Sequence, residues 1–231
     1  MRSKKLVIIP AYNESESIRD TVKDIISKAP GFDYIVVNDC STDDTLKILS
    51  EEGFNYLNLP VNLGIGGAVQ AGYRYARKYG YEIAVQVDGD GQHDPGYLEL
   101  MAEKLVQSNA DMVIGSRFIE KEGFQSSALR RVGIKYFTGL IKLVTGKTIT
   151  DPTSGLRMIN RDVICEFADN YPRDYPEPES VVAILKHHRN VVELPVKMRA
   201  RQGGTSSIHM KRSVYYMIKV TIAILIERIR R

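Results

Sequence analysis

The sequence predicts an α/β protein: a doubly wound, mostly parallel sheet flanked by helices, with an amphipathic helix at its end. Three observations carry this. Short apolar runs alternate with helix-spaced segments, the rhythm of a wound parallel sheet. The first run, Leu6-Val7-Ile8-Ile9-Pro10, is continuously apolar, as a strand covered on both faces should be. Polar and acidic residues then cluster just after the strands, at the edge where open α/β sheets bind ligands.

Taken in order, Leu6–Pro10 is the first strand and Pro10–Glu14 the loop that follows. Ser15–Ala29 places Ile18, Val22, Ile25 and Ile26 at helical spacing. Tyr34–Val37 is the second strand, ending at Asn38-Asp39. Ser41-Thr42-Asp43-Asp44 resembles a capping box that opens a helix through Leu46 and Leu49. Phe54–Leu59 reads as a third strand. Asn62-Leu63-Gly64-Ile65-Gly66-Gly67-Ala68 is a glycine-rich entry to a helix running to about Tyr79. Ile83–Val87 is the fourth strand, Gly96–Gln107 a helix, and Met112–Gly115 a fifth strand ending at Ser116-Arg117. Right-handed crossovers then bring Pro10–Glu14, Asp39, Gly64–Ala68, Asp88–Gln92 and Arg117 to one crevice.

The second half is less regular. Leu129–Leu143 reads as a helix, Asp151–Gly155 as a turn and Leu156–Ile159 as a short strand. A helix starting at Pro176, a strand at Val191–Val196 and a small-residue loop at Arg201–Ser207 follow. Residues 1–208 form one expected domain, and 209–231 a basic helix.

The chain has 231 residues, a net charge of +4 and two cysteines, Cys40 and Cys165. Two distant cysteines and a start without a secretory pattern indicate a cytoplasmic protein. From Arg201 onward there are seven Lys/Arg and one Glu, so this tail carries +6 and the remainder −2. Such a tail suits an anionic surface. In the final helix Val214, Met217, Ile218, Thr221, Ile222, Leu225 and Ile229 form one face. Arg212, Lys219, Glu227 and Arg230 form a polar stripe. The apolar core Val220–Ile226 is too short for a bilayer, which needs about 20 residues. A helix lying in the membrane interface fits the pattern, and packing on its own domain or on a second copy is the alternative.

The chemistry centres on Asp88-Gly89-Asp90-Gly91-Gln92, directly after a strand. Two carboxylates and an amide oxygen on a glycine-broken turn can converge on one hard cation, Mg²⁺ or Mn²⁺. The plain alternative is a polar turn whose aspartates cap the next helix. His93 beside it reads as a solvated loop residue, and Cys40 as a small buried one. Gly64-x-Gly66-Gly67 at a helix start suits a phosphate. It lacks the last glycine of G-x-G-x-x-G and the Lys-Ser/Thr of a P-loop, which speaks against an NAD enzyme or ATPase.

Several motifs in order resemble the family 2 glycosyltransferases of the GT-A fold. They are Ile9–Glu14, Val37–Asp43, Asn62-x-Gly64-x-Gly66 and Asp88–Gln92. Asp151-Pro152-Thr153-Ser154-Gly155 with Arg157 is similar to the branch of dolichyl-phosphate mannose synthase and bacterial polyprenyl-phosphate sugar transferases. The resemblance implies an inverting, metal-dependent transfer from a nucleotide sugar to a polyprenyl phosphate. It places Pro10, Ala11, Tyr12, Glu14 and Asp39 at the base, and Asp88 at the ribose or metal. Gly66 and Gly67 lie toward the diphosphate, Asp90 and Gln92 ligate the metal, and Arg201 and Ser206 close over the diphosphate. Arg117, Arg131 and Lys135 hold the acceptor phosphate. Departures from the branch are Lys135 for a small hydroxyl residue, Ser207 for lysine, Cys40 for glycine and Asn38 for aspartate.

An acceptor phosphate is largely ionised at pH 7, with a second pKa near ~6, and needs little help from a base. A hydroxyl acceptor on a growing glycan would need one, and Asp151 and Glu179 are the candidates. The expected partners are thus a nucleotide sugar, a polyprenyl phosphate and the membrane surface, with a second copy or a membrane protein as another occupant of the helix. The expected location is cytoplasmic and peripheral to the membrane. Nucleic acid is not expected. A catalytically silent tethering subunit is the reading of another class, against which the intact Asp88, Asp90 and Gln92 argue. A sugar-nucleotide pyrophosphorylase would need a glycine-rich, Arg-containing loop after the first strand, which is absent.

Overall fold

The computed structural model describes residues 4–120, 128–173, 176–199 and 210–229. Seven strands, β1 (Lys5–Ala11), β2 (Asp33–Asn38), β3 (Tyr56–Asn58), β4 (Ile83–Gln86), β5 (Met112–Ser116), β6 (Arg157–Asn160) and β7 (Val191–Pro195), form one sheet in the order β3-β2-β1-β4-β6-β5-β7. All neighbours run parallel except β6, which is antiparallel to both β4 and β5. The mostly parallel, doubly wound expectation holds. The single reversal has a consequence for the site. It carries the loop before β6, Asp151–Gly155, to the edge where β1, β2, β4 and β5 end.

The sheet is covered on both faces because successive apolar residues of its central strands, Leu6–Ile9 on β1 and Ile83–Val85 on β4, are buried on alternate sides. Leu6, Ile8, Ile35 and Val37 point into one core with helices α3 (Gly64–Lys78), α6 (Arg161–Asp169) and α7 (Pro176–Lys186). Val7, Ile9, Val36 and Val85 point into the other with α1 (Ile18–Lys28) and α4 (Leu98–Gln107). Gly72 lets α3 close on β1, since a Cβ there would meet the Ile8 side chain. Ile26 is the exception to the α1 pattern and stays exposed.

Several boundaries differ from expectation. β1 continues through Pro10 to Ala11. The apolar stretch 54–59 yields only a three-residue strand at the sheet edge. The Ser41–Asp44 segment is not a capping box: α2 (Thr45–Glu51) starts later, and Asp43 Oδ1 accepts from the Thr45 N–H at 3.0 Å. Helix α6 has no counterpart in the sequence reading, although Asn160 caps it through the Val163 N–H at 3.1 Å. Val163, Ile164, Phe167 and Ala168 line its buried side.

α5 (Ala128–Thr145) and α8 (Met210–Ile229) complete the first core, with Phe137, Ile141, Val220 and Ile224 buried. On α8 the docked side is Val220 and Ile224, so the face read from the sequence divides. Ile218, Ile222, Leu225 and Ile226 remain exposed. Glu227 is drawn toward the domain, where its carbonyl accepts from Lys186 Nζ at 2.9 Å. Among the described residues no helix is long and apolar enough to cross a membrane.

Candidate active site

β4 delivers Asp88 two residues past its end, and α1 holds the turn that follows. The Gly89 carbonyl accepts from Ser17 Oγ at 2.9 Å and from Thr21 Oγ1 at 3.2 Å. A Cβ on Gly89 would stand 3.2 Å from the Pro10 carbonyl, so the turn lies against β1. Gly91 has φ +74°, a left-handed conformation suited to glycine. Asp90 is buried, with Oδ1 accepting from the Gln92 N–H at 3.1 Å. Asp94, rather than Asp88 or Asp90, caps the following 3-10 turn, Pro95–Tyr97, through the Gly96 N–H. The cap reading of the two central aspartates is therefore superseded.

His93 is 3% exposed and not a solvated loop residue. Its Nδ1 accepts from the Asp88 N–H at 3.1 Å, and its Nε2 lies 3.8 Å from Asp88 Oδ2. Gln86, fully buried at the end of β4, donates Nε2 to Asp88 Oδ1 at 3.0 Å. Among the described residues no group of three or more His, Cys, Asp and Glu could hold a metal by itself. Asp88, Asp90 and Gln92 offer carboxylate and amide oxygens on one short turn, a hard-oxygen chemistry. It fits an Mg²⁺ or Mn²⁺ that is held by one or two carboxylates and shared with ligand phosphates.

The loops after β1 and β2 are stitched together. The Asn13 side chain accepts from the Thr42 N–H at 2.8 Å, and Ser41 Oγ accepts from the Asn13 N–H at 3.0 Å. The Glu14 N–H donates to Thr45 Oγ1 and the Ser15 N–H to Asp43 Oδ2. Burial tends to raise the Asp43 carboxyl, but the hydrogen bonds from Thr45 and Ser15 outweigh it and hold the carboxyl below its ordinary value. Asp39 is buried, and its Oδ1 accepts from the Leu63 N–H at 2.7 Å. It thereby fixes the entry of α3 beside Pro10, Ala11 and the exposed Tyr12. Cys40 is half-buried rather than buried, at φ +57°. Gly66 has a packing reason: a Cβ there would collide with the carbonyls of Pro172 and Arg173. Gly67 faces the Leu63 side chain in the same way.

On the other side of the turn, Gly155 backs onto Asp88, where a Cβ would come within 2.7 Å of Oδ2. Asp151 is fully buried and paired to Arg117, Nε to Oδ2 and Nη2 to Oδ1, both at 2.6 Å. The Arg117 N–H and Thr153 Oγ1 add two more donors to that carboxylate. Glu193 on β7 braces the loop by accepting from the Thr150 and Asp151 N–H groups at 2.8 and 3.0 Å. The buried Arg157 donates to the carbonyls of Ser154 and Pro152 at 2.7 Å and to that of Glu177. It ties the loop to α7, which carries the half-buried Glu179. Arg131 and Lys135 are exposed, one turn apart on α5.

Arg201 and Ser206 lie outside the described residues. Ahead of them, the Arg199 N–H donates to the Gln92 carbonyl at 3.0 Å, which joins this stretch to the Asp88–Gln92 turn. The Arg199 guanidinium reaches Asp24 at 2.6 Å and Asp94 at 2.5 Å. Sequence reasoning missed Gln86, Glu193 and Arg199, whose roles rest on tertiary contacts with no local signature.

A sequence model of the family described as Glycosyl transferase family 2 matches residues 6–167, more than two thirds of the chain. The chain belongs to that family. This glycosyltransferase is 32% identical over 212 residues to an undecaprenyl-phosphate mannosyltransferase of Micrococcus luteus, covering 88% of this chain and 86% of that one. It is 29% identical to a UDP-N-acetylglucosamine–dolichyl-phosphate N-acetylglucosaminyltransferase of Methanococcus voltae, covering 83% and 84%. Among solved structures, it is similar to glucosyl-3-phosphoglycerate synthase of Mycobacterium tuberculosis in complex with Mn²⁺, UDP-glucose and phosphoglyceric acid. The TM-score is 0.76 at 17% identity, with 98% of this chain and 80% of that one covered. That likeness establishes the fold, and the glycosyltransferase is a GT-A protein.

Proposed function

We propose that the chain transfers one sugar, with inversion, from a nucleotide-diphosphate sugar to a polyprenyl phosphate at the cytoplasmic face of a membrane. The observation that carries the choice of acceptor is the pairing of Asp151. Both of its oxygens accept from Arg117, and it is fully buried. A carboxylate so engaged is a poor general base, since the base must reach the acceptor proton. An acceptor that arrives already ionised needs no such group, and a phosphate monoester does so at pH 7. The names of the relatives from Micrococcus luteus and Methanococcus voltae support the same acceptor class.

In this reading Asp39 binds the base, beside Pro10, Ala11, Tyr12 and Glu14. Gly66 and Gly67 lie toward the diphosphate, which Arg201 and Ser206 close over. Asp88, Asp90 and Gln92 hold Mg²⁺ or Mn²⁺, which when bound neutralises the leaving diphosphate. Arg131 and Lys135 share one helix face and attract the acceptor phosphate. Arg117, ordered by Asp151, is the third cation assigned to the acceptor phosphate in this reading. The acceptor oxygen forms a bond to the anomeric carbon as the bond to the diphosphate breaks on the opposite side. Residues 209–231 rest on the bilayer surface through the exposed side of α8, which presents Tyr215, Ile218, Ile222 and Leu225.

Paired acceptors test this. With a panel of labelled nucleotide sugars, farnesyl phosphate is glycosylated and farnesol is not. Transfer to farnesol alone, or to a glycan hydroxyl, would replace the phosphate reading and bring Glu179 forward as the base.

A further inference from the structure

We propose that Gln86 and His93 form a buried clamp that sets the orientation of Asp88, acting as positioning residues for sugar transfer. The inference rests on the function proposed above and concerns the same site. Asp88 is the one member of the metal turn that keeps a partly open carboxylate, 37% exposed at its side chain, so its rotation is not fixed by packing alone. Two side chains approach it from the protein interior. Gln86 is 0% exposed and sits in the sheet at the register of Ile8 on β1 and Arg157 on β6. Its Nε2 donates to Asp88 Oδ1 at 3.0 Å. His93 is 3% exposed, and its Nδ1 accepts from the Asp88 N–H.

That bond decides the tautomer. A ring whose Nδ1 is an acceptor carries its proton on Nε2 when neutral. Nε2 faces Asp88 Oδ2 at 3.8 Å, just beyond hydrogen-bond reach. Among the described residues Nε2 has no hydrogen-bond partner, and neither has Gln86 Oε1. Buried polar atoms are nearly always satisfied, so two orphans flanking one carboxylate mark a place built for something besides folding. Gly155 closes the third side, where a Cβ would come within 2.7 Å of Oδ2. A small rotation of Asp88 brings Oδ2 onto the His93 Nε2–H and leaves the outer lone pairs for the metal or ribose. Outer-shell partners of this kind orient a ligating carboxylate, and their loss costs about 10–100-fold in metal affinity or activity.

The test separates the two nitrogens. His93→Asn keeps an acceptor near the Nδ1 position and loses the Nε2 donor, whereas His93→Gln keeps a donor near Nε2. Gln86→Leu removes the other jaw at similar volume. Mn²⁺ binding is followed by electron paramagnetic resonance with UDP or GDP present, alongside kcat and KM for the donor and the thermal midpoint. We expect His93→Asn and Gln86→Leu to lower kcat and Mn²⁺ affinity by about tenfold or more, with donor KM within about threefold and the midpoint retained. His93→Gln recovers most of both. Wild-type kcat and Mn²⁺ affinity in His93→Asn and Gln86→Leu, or losses that track only a fall in the midpoint, would overturn the clamp. Wild-type protein that binds no Mn²⁺ with either nucleotide would instead overturn the function reading on which the clamp rests.

Discussion

Arg117 and Asp151, 34 residues apart in sequence, form a bidentate ion pair in the interior, with both contacts at 2.6 Å and Asp151 fully buried. The pair joins the end of β5 to the loop before β6. It engages Asp151, one of the two acids considered as a base, with a neighbouring cation. Removing one partner of such a pair leaves a buried charge alone, which costs about 3–5 kcal/mol. Asp151→Asn is therefore expected to lower the unfolding free energy by about that amount, measured by denaturant melts. Asp151→Leu combined with Arg117→Met should cost less than Asp151→Asn alone, since no orphan charge remains. In transfer assays the surviving activity of Asp151→Asn should keep the wild-type pH profile. A lost acidic limb would mean that Asp151 takes a proton after all.

Gly64 and Gly66 should respond to alanine differently. Gly64 has φ +74° and open space around it, so Gly64→Ala meets only backbone strain of about 1–2 kcal/mol. Gly66→Ala drives a methyl into the carbonyls of Pro172 and Arg173, which cannot yield without moving the loop. We expect a loss of about 1–3 kcal/mol there, with weaker nucleotide binding as α3 shifts from Asp39. Calorimetric binding of UDP and GDP, read beside thermal melts, checks the order of the two.

The Arg199 anchor predicts a pH dependence. Burial tends to raise the Asp24 and Asp94 carboxyls. For Asp24, hydrogen bonds from Lys28 and Arg199 and the charges of both outweigh it. For Asp94, Arg199, the Gly96 N–H and Lys28 do the same. Both carboxyls are held below their ordinary value of 3.8, so the pairs add stability that is present above that value. It is lost as pH falls through the folded values. Pairs this exposed contribute about 1 kcal/mol or less each. Arg199→Met should be destabilised at pH 7 and converge on wild type only as pH falls through the lowered folded values, below 3.8, in acid titrations.

Much of this fold was legible in the sequence. Runs such as Leu6–Pro10 and Ile83–Val87 could only be covered strands, and their rhythm with helices implied a parallel sheet. The direction of β6 was not legible, because a four-residue apolar strand has no polarity in its side chains. Helix α6 carried a readable signal, an Asn160 cap followed by Val163, Ile164 and Phe167, that the sequence reading passed over. At the site, the position of the Asp88–Gln92 turn just past a buried strand was legible from the apolar run before it, whereas the capping role fell to Asp94 rather than to Asp88 or Asp90. The Arg117–Asp151 pairing and the burial of His93 were invisible. Both depend on which residues from elsewhere close over them. Gly66 shows the opposite failure: a glycine read toward a ligand is also required by the backbone it touches.

The exposed side of α8 predicts membrane binding that depends on single residues. Ile222 is 51% exposed, while Val220 and Ile224 hold the helix to the domain. Ile222→Asp should reduce sedimentation with anionic phospholipid vesicles by roughly tenfold, about 1.4 kcal/mol of lost apolar contact and added repulsion, without a change in thermal midpoint. Val220→Asp should instead unfold the helix from the protein. Unaltered vesicle binding in Ile222→Asp would turn attention to a protein partner or a second copy.

The most direct measurement is transfer from radiolabelled nucleotide sugars to membranes containing polyprenyl phosphate, with Mn²⁺ or EDTA, for wild type and Asp90→Ala. The account predicts a mild-acid-labile labelled lipid that forms with one donor and disappears with EDTA and in Asp90→Ala. A labelled lipid that forms equally well with EDTA and in Asp90→Ala would contradict it.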